Sequence, residues 1–106
     1  MTFAIKRGDT GPSISRILRD GDGAAIDFTG AAVVLSMARH NGAAVITRAA
    51  ATTTATAGQV VYDWQPGDTN IIGLYVAEFE VTSADGSVET FPNDGNLLVS
   101  IVQDLG

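Results

Sequence analysis

The residues best placed to do chemistry in this sequence are two carboxylates, Glu78 and Glu80. A glycosidase uses such a pair across a cleft, with burial raising the pKa of one member. Two residues apart in a strand, however, both side chains point to the same face. The spacing therefore favours a solvated strand face over a catalytic pair, and we predict that the protein is not an enzyme and has no catalytic residues.

Metal and nucleophile chemistry has few candidate residues. The sequence has no cysteine and one histidine, His40, so thiolate sites are excluded and histidine-based zinc sites or triads are disfavoured. The run Asp20-Gly21-Asp22-Gly23 has the alternating aspartates of a calcium loop. Asp27 is the only extra carboxylate nearby, and no bidentate ligand follows at the required spacing. A hairpin turn is the better interpretation, and we predict neither metal nor cofactor.

Two further motifs have both a binding and a structural interpretation. Arg7-Gly8-Asp9 is the cell-adhesion tripeptide, but the Thr10-Gly11-Pro12 that follows is typical of a turn. Tyr62 and Trp64 share one face of a predicted strand, where aromatic rings either stack on a sugar or fill a core. Core packing is the commoner outcome at this spacing, and a carbohydrate-binding module is kept as an alternative.

The charge argues against nucleic acid as a partner. The net charge is −6, all six basic residues lie at or before Arg48, and eight acidic residues follow it. A nucleic-acid binder needs a dense basic stripe to displace counterions from phosphates. The asymmetry between the two halves would suit head-to-tail packing of copies, but interleaving of strands from both halves, which would blur the asymmetry, is the preferred interpretation. No apolar run is long enough to span a membrane, so we predict no direct nucleic-acid or membrane partner.

Alternating apolar residues between turn dipeptides such as Asp85-Gly86 predict a series of strands with one buried face. The predicted strands are 3–6, 13–19, 32–39, 43–49, 59–64, 74–82, 87–91 and 97–103. The length fits one domain, 1–106. We therefore expect an all-β fold, a two-sheet antiparallel β-sandwich of about seven to eight strands.

The same alternation predicts which side chains form the core. The inward residues are Ile14 with either Ile17 or Leu18; Val33, Leu35 and Met37; Val60, Tyr62 and Trp64; Tyr75, Ala77, Phe79 and Val81; and Leu97, Val99 and Ile101.

Three apolar residues fall on faces that a lone domain would expose to water, namely Val76, Leu98 and Val102. Charged residues make up only 17% of the chain, below the usual ~25%, which also indicates a surface covered by a partner. Exposed apolar area often marks an association surface. We predict Val76, Leu98 and Val102 as protein-interface residues, and a homo-oligomer.

Short motifs follow one another along nearly the whole chain in a distinctive order. They are Ile5-Lys6-Arg7-Gly8-Asp9-Thr10-Gly11, Leu18-Arg19-Asp20-Gly21-Asp22-Gly23, Ile26-Asp27-Phe28-Thr29-Gly30-Ala31, the strand through residues 33–37, Gly58-Gln59-Val60-Val61-Tyr62, Asp68-Thr69, Gly73-Leu74-Tyr75-Val76-Ala77-Glu78-Phe79, Asp85-Gly86, Thr90-Phe91-Pro92 and residues 97–102. In this order and spacing the sequence resembles the N-terminal domain of the phage baseplate upper protein, a module of tailed-phage receptor-binding and fibre proteins.

The resemblance implies an immunoglobulin-like β-sandwich that attaches a fibre or receptor-binding protein to a phage tail. The expected function is therefore a virion structural protein, a tail or baseplate adaptor assembled in the host cytoplasm with other virion proteins as partners. A capsid decoration or head-fibre attachment protein is the closest alternative. Because larger family members continue into a receptor-binding region and this sequence ends at Gly106, we expect either a fragment or a small adaptor.

Overall fold

The computed structural model describes residues 2–19, 22–40, 42, 44–54, 58–92 and 97–105, with the side chains at 47, 48, 50 and 52–54 left undescribed. These ranges contain nine strands. In chain order they are β1 (Thr2–Lys6), β2 (Ile14–Ile17), β3 (Ala32–Arg39), β4 (Ala44–Ala50), β5 (Thr52–Thr54), β6 (Gln59–Tyr62), β7 (Gly73–Thr82), β8 (Val88–Phe91) and β9 (Leu97–Val102). Within the same ranges no helix has the length and hydropathy needed to cross a bilayer.

The strands form two sheets, as a sandwich requires. The larger sheet has six strands in the order β1-β9-β7-β3-β4, with β8 also paired to β7, and the smaller sheet has the order β2-β6-β5. The ten-residue β7 organises the larger sheet because β3 pairs along one of its edges while β9 and β8 share the other. The all-β, two-sheet, immunoglobulin-like sandwich predicted from the sequence is confirmed.

Strand β1 joins the larger sheet in parallel with β9, from the pair Thr2–Leu98 to the pair Lys6–Val102. The other strand pairings described are antiparallel. A hairpin forces its two strands to be antiparallel, whereas strands far apart in sequence pair in either direction. The purely antiparallel sandwich that the turns suggested therefore differs from the structure at this one strand.

The chain changes sheets between β4 and β5. Leu35 lies opposite Ala49 and Met37 opposite Ile46, so β4 uses more residues than β3 over the same length and bulges. Bulges bend and twist a strand, and such bends let a strand pass from one sheet to the other. After Ala51, whose N–H donates to the carbonyl of Val33 at 3.0 Å, the chain enters the smaller sheet as β5. This division raises the strand number from the expected seven to eight to nine.

The core lies between the sheets and contains the side chains that alternation placed inward. Phe79 and Tyr75 from the larger sheet and Ile14 and Val60 from the smaller one are at most 1% exposed. For the second inward residue of β2, the alternatives were Ile17 and Leu18. Leu18 is 6% exposed and Ile17 is 51% exposed, because the chain leaves the regular strand after residue 17. The predicted core is thus confirmed.

Two loops are closed by the same local arrangement of an aspartate and a hydroxyl residue two positions later. Asp27 Oδ1 accepts hydrogen bonds from the N–H and Oγ1 of Thr29 at 2.9 and 2.6 Å. Asp85 Oδ1 accepts from the N–H and Oγ of Ser87 at 2.9 and 2.7 Å. In both loops the side-chain hydrogen bond, followed by the backbone one, lowers the pKa of the aspartate below its ordinary value of 3.8.

These two aspartates make part of the stability depend on pH. A carboxyl whose pKa is lowered by folding stabilises the fold above its unfolded pKa, and this contribution is lost as the pH falls through the lowered, folded value. We expect wild type to lose more unfolding free energy between about pH 5 and about pH 2 than the Asp27→Asn/Asp85→Asn variant, which keeps an acceptor oxygen but does not titrate. Urea denaturation across this range measures the difference. Parallel curves would contradict the prediction.

Candidate protein interface

The outward face of the larger sheet has an apolar centre. Val76 and Leu98 are cross-strand partners on β7 and β9, and both are half-buried, as is Val102 on β9. Leu74, two residues before Val76 on the same face of β7, is 43% exposed. These four residues, Leu74, Val76, Leu98 and Val102, are called the apolar patch below.

A shallow groove of about 320 Å³ lies beside the apolar patch, between β7, β3 and β4. Ala38 lies opposite Val76 on one side and opposite Ala44 on the other, so two alanines follow a valine across the sheet. The side chains of the two alanines are short, so they leave the groove open beside Val76 and Glu78, which also line it. The outward face therefore combines a raised apolar patch with a hollow of small residues.

Charged residues lie on opposite sides of the apolar patch. Lys6 lies opposite Val102 on the β1 side, and Glu78 lies opposite Ser36 on the β3 side. Glu80, two residues further along β7, extends the acidic end of the same face. The face is therefore basic at one end, apolar in the middle and acidic at the other end.

The structure places each predicted interface residue on this one face. Val76 and Leu98 are in direct register, and Val102 is four residues beyond Leu98 on β9. Leu74 was not predicted, although the alternation of β7 contained the signal. The groove could not be found from the sequence because it depends on Ala38 and Ala44 being neighbours, which the bulged pairing of β3 and β4 decides.

The two carboxylates considered for catalysis remain on the outward face, as their spacing predicted. Glu78 is exposed and Glu80 half-buried. Their neighbours across β3 are Ser36 and Val34. The two carboxylates do not face each other across a cleft, because both project from the outward face of the same strand, β7. The arrangement does not offer the opposed acid and base that glycoside hydrolysis needs.

The aromatic pair considered for sugar binding lies in the core. Tyr62 and Trp64 are each 3% exposed, with their rings edge to face and 5.5 Å between centroids. Trp64 Nε1 donates to the carbonyl of Pro12 at 3.1 Å, and the Tyr62 hydroxyl donates to Asp68 Oδ2 at 2.6 Å. Burial, with a smaller effect from Asp68, raises the pKa of Tyr62. Neither ring has a face free to stack on a sugar, so the carbohydrate-binding alternative is wrong.

The remaining motifs are turns where the structure describes them. In Arg7-Gly8-Asp9 the N–H of Asp9 donates to the carbonyl of Lys6 at 3.1 Å, and Gly8 has a φ of +84°. Asp20-Gly21 of the calcium-loop candidate lies outside the described residues, as do Asn41 and Asp94-Gly95. Among the described residues there is no group of three or more His, Cys, Asp or Glu side chains that could hold a metal ion.

Comparison with known proteins finds a similar solved structure but no match in sequence. No family model matches the sequence, and no curated protein matches it. A solved structure, CopC from Methylosinus trichosporium OB3b, covers 97% of this chain and 87% of its own with a TM-score of 0.51 and 18% identity. At this identity the match supports the shared β-sandwich fold and no more.

The prediction of a virion structural protein is wrong by this comparison. The structural match is to CopC and not to a phage tail, baseplate or capsid protein, and no family model or curated protein links the chain to one. The motifs behind the resemblance are turn dipeptides and alternating strands. Such motifs specify an immunoglobulin-like sandwich, and one fold carries many unrelated functions. The tail-adaptor and capsid-decoration interpretations are therefore both wrong, and no matching protein supports a virion location.

Proposed function

We propose that this domain is a non-catalytic protein-binding module that self-associates through the outward face of its larger sheet. The observation that carries the proposal is the apolar patch, of which Leu74 is 43% exposed and Val76, Leu98 and Val102 are half-buried. An antiparallel sheet with one solvated face normally alternates apolar and polar residues. Four aliphatic side chains together at the centre of the outer face are instead typical of a covered surface.

The size of the face predicts the strength of association. Five strands side by side at ~4.8 Å, over ~20 Å of strand length, present roughly 480 Å² per copy. Two copies would bury roughly 960 Å² in total, just below the ~1,200 Å² at which stable specific interfaces begin. We therefore expect a weak, reversible dimer.

Two features of the face favour binding over catalysis. Its basic group and its acidic groups are separated by the apolar patch, with Lys6 on one side and Glu78 on the other, whereas a catalytic acid and base must both reach one substrate. The groove beside the patch is open, and apolar residues, among them Ala38, Ala44 and Val76, form most of its lining. Such a surface suits a side chain from another protein.

Sedimentation velocity up to about 1 mM protein, where an association worth about −4 kcal/mol is half complete, tests this function. Wild type is expected to show a concentration-dependent increase in sedimentation coefficient, and Val76→Asp/Leu98→Asp to remain monomeric, because both carboxylates would be desolvated in the interface.

Ile17→Asp is the matched control. Ile17 is 51% exposed on β2 of the smaller sheet, so the same change there leaves association unaltered. Circular dichroism checks that all variants fold. A wild type that stays monomeric throughout, or a double aspartate variant that associates like wild type, would rule out the proposed function.

A further inference from the structure

The outward face is complementary to itself, and this complementarity depends on the direction of approach. Its basic end contains Lys6 and its acidic end Glu78, on opposite sides of the apolar patch. If two copies met with their strands in the same direction, Glu78 would lie near Glu78 and Lys6 near Lys6. If one copy is turned end for end, each lysine meets a glutamate.

The strand register gives the separation of Lys6 and Glu78 on the outward face. Lys6 lies opposite Val102 on β9, one residue beyond the pair Gly73–Ile101 that joins β9 to β7. Glu78 is therefore about six residues along and two strands across from Lys6, or ~22 Å away at ~3.3 Å per residue and ~4.8 Å per strand. The midpoint of this diagonal falls on β9 between Leu98 and Ser100.

A two-fold axis lying in the face, through this midpoint and at right angles to the diagonal, brings the two copies together. It places Lys6 of each copy against Glu78 of the other, which gives two equivalent contacts. It also places Val102 of each copy over the groove beside Ala38 in the other. Such an interface is isologous, since the same residues contribute from both sides.

The same axis determines which residues lie beneath Leu98. Leu98 of one copy falls over Ala4 and Ser100 of the other, which are neighbours on β1 and β9. Both are small, so the leucine enters a depression instead of meeting another large side chain. The small residues beneath Leu98 and the groove beneath Val102 are thus compatible with the orientation that the charges select.

We propose that the partner of this face is a second copy of the chain, in a two-fold dimer with Lys6 paired to Glu78 and Val102 seated in the groove. This inference rests on the proposed function and adds to it the orientation and the contacts. The negative net charge of −6 would otherwise keep copies apart, and the two Lys6–Glu78 pairs offset part of that repulsion where the surfaces meet.

Charge reversal followed by mixing tests the orientation. In Lys6→Glu both pairs become glutamate against glutamate, and in Glu78→Lys both become lysine against lysine, so each variant alone is expected to dimerise about tenfold more weakly than wild type. A mixture of the two variants restores opposite charges at both pairs. The mixture should therefore associate more tightly than either component, with a dissociation constant near that of wild type.

Matched charge changes away from the face are the controls. Arg16→Glu on β2 and Glu89→Lys on β8, whose register partner Val81 faces the core, change the net charge by the same amounts. Mixing these two variants should not produce a preference for the mixed dimer. A second variant, Ala38→Leu, fills the groove and is expected to weaken dimerisation several-fold while leaving the fold intact.

The outcomes separate this inference from the proposed function. If wild type dimerises, Val76→Asp/Leu98→Asp abolishes it, and the mixture of Lys6→Glu with Glu78→Lys is no tighter than its components, the face associates in another orientation and the inference is overturned. If wild type does not self-associate, both the inference and the proposed function fail. Preferential mixed dimers together with weakening by Ala38→Leu support the dimer as described.

Discussion

Replacing Phe79 with alanine is expected to lower the free energy of unfolding by about 3–5 kcal/mol. The ring is 1% exposed and lies between Leu35 on β3 and Phe91 on β8, its register partners on the two sides of β7. Its removal leaves a cavity at the centre of the larger sheet, where paired strands on both sides prevent collapse. A loss of this size is a large part of the roughly 5–15 kcal/mol that stabilises a typical domain.

Urea denaturation at a protein concentration too low for dimerisation measures this loss without a contribution from association. Ile17→Ala is the control, because its side chain is 51% exposed on β2 and its truncation should cost less than about 1 kcal/mol. If Phe79→Ala unfolds within about 1 kcal/mol of wild type, the ring does not belong to a packed core.

Replacing Gly58 with alanine is expected to cost about 2–5 kcal/mol, from strain in the left-handed backbone region and from overpacking. Gly58 has a φ of +70°, and an added Cβ would lie 2.9 Å from Ala25 Cβ, 2.9 Å from the carbonyl oxygen of Leu18 and 3.0 Å from the backbone nitrogen of Ile26. Two of these atoms are joined by a hydrogen bond, from Ile26 N–H to Leu18 O at 2.9 Å. A methyl group at Gly58 must therefore displace a hydrogen-bonded loop, not a flexible side chain.

Gly86→Ala separates the two causes of this effect. Gly86 has a φ of +88°, but an added Cβ there would meet nothing within 4 Å. It should cost only the backbone strain, about 1–2 kcal/mol. Thermal denaturation of both variants gives the comparison. An equal loss at the two positions would show that contact with Leu18 and Ala25 adds nothing to the cost.

The sequence was sufficient to predict the layers of the fold because a period of two identifies faces. Phe79 and Val81 alternate with Glu78 and Glu80, and the inner face of β7 followed directly from this. The same period contains no information about which strand lies beside which. The parallel pairing of β1 with β9 and the passage from β4 into β5 therefore appeared only in the structure, since no hairpin turn specifies the first and a bulge produces the second.

The candidate interface was predictable in part for the same reason. Val76, Leu98 and Val102 were identified as outward apolar residues from alternation alone, while their arrangement as one patch depends on β7 and β9 being neighbours. The groove depends on a second pairing, of β3 with β4. The virion function inferred from the resemblance was wrong because the motifs that supported the resemblance are those of turns and strand ends. Such residues are required by the sandwich itself, whatever surface the sandwich presents.

The parallel pairing of β1 with β9 also determines how the domain responds to mechanical force. A pull on the two ends of the chain acts on β1 from its beginning, at Thr2, and on β9 from its end, at Val102. Because the strands are parallel, these points lie at opposite ends of their ladder, which runs over five residue pairs. The force is then directed along the strands and loads the hydrogen bonds of the ladder together, in shear. A hairpin pulled from its open end would instead lose its bonds one after another.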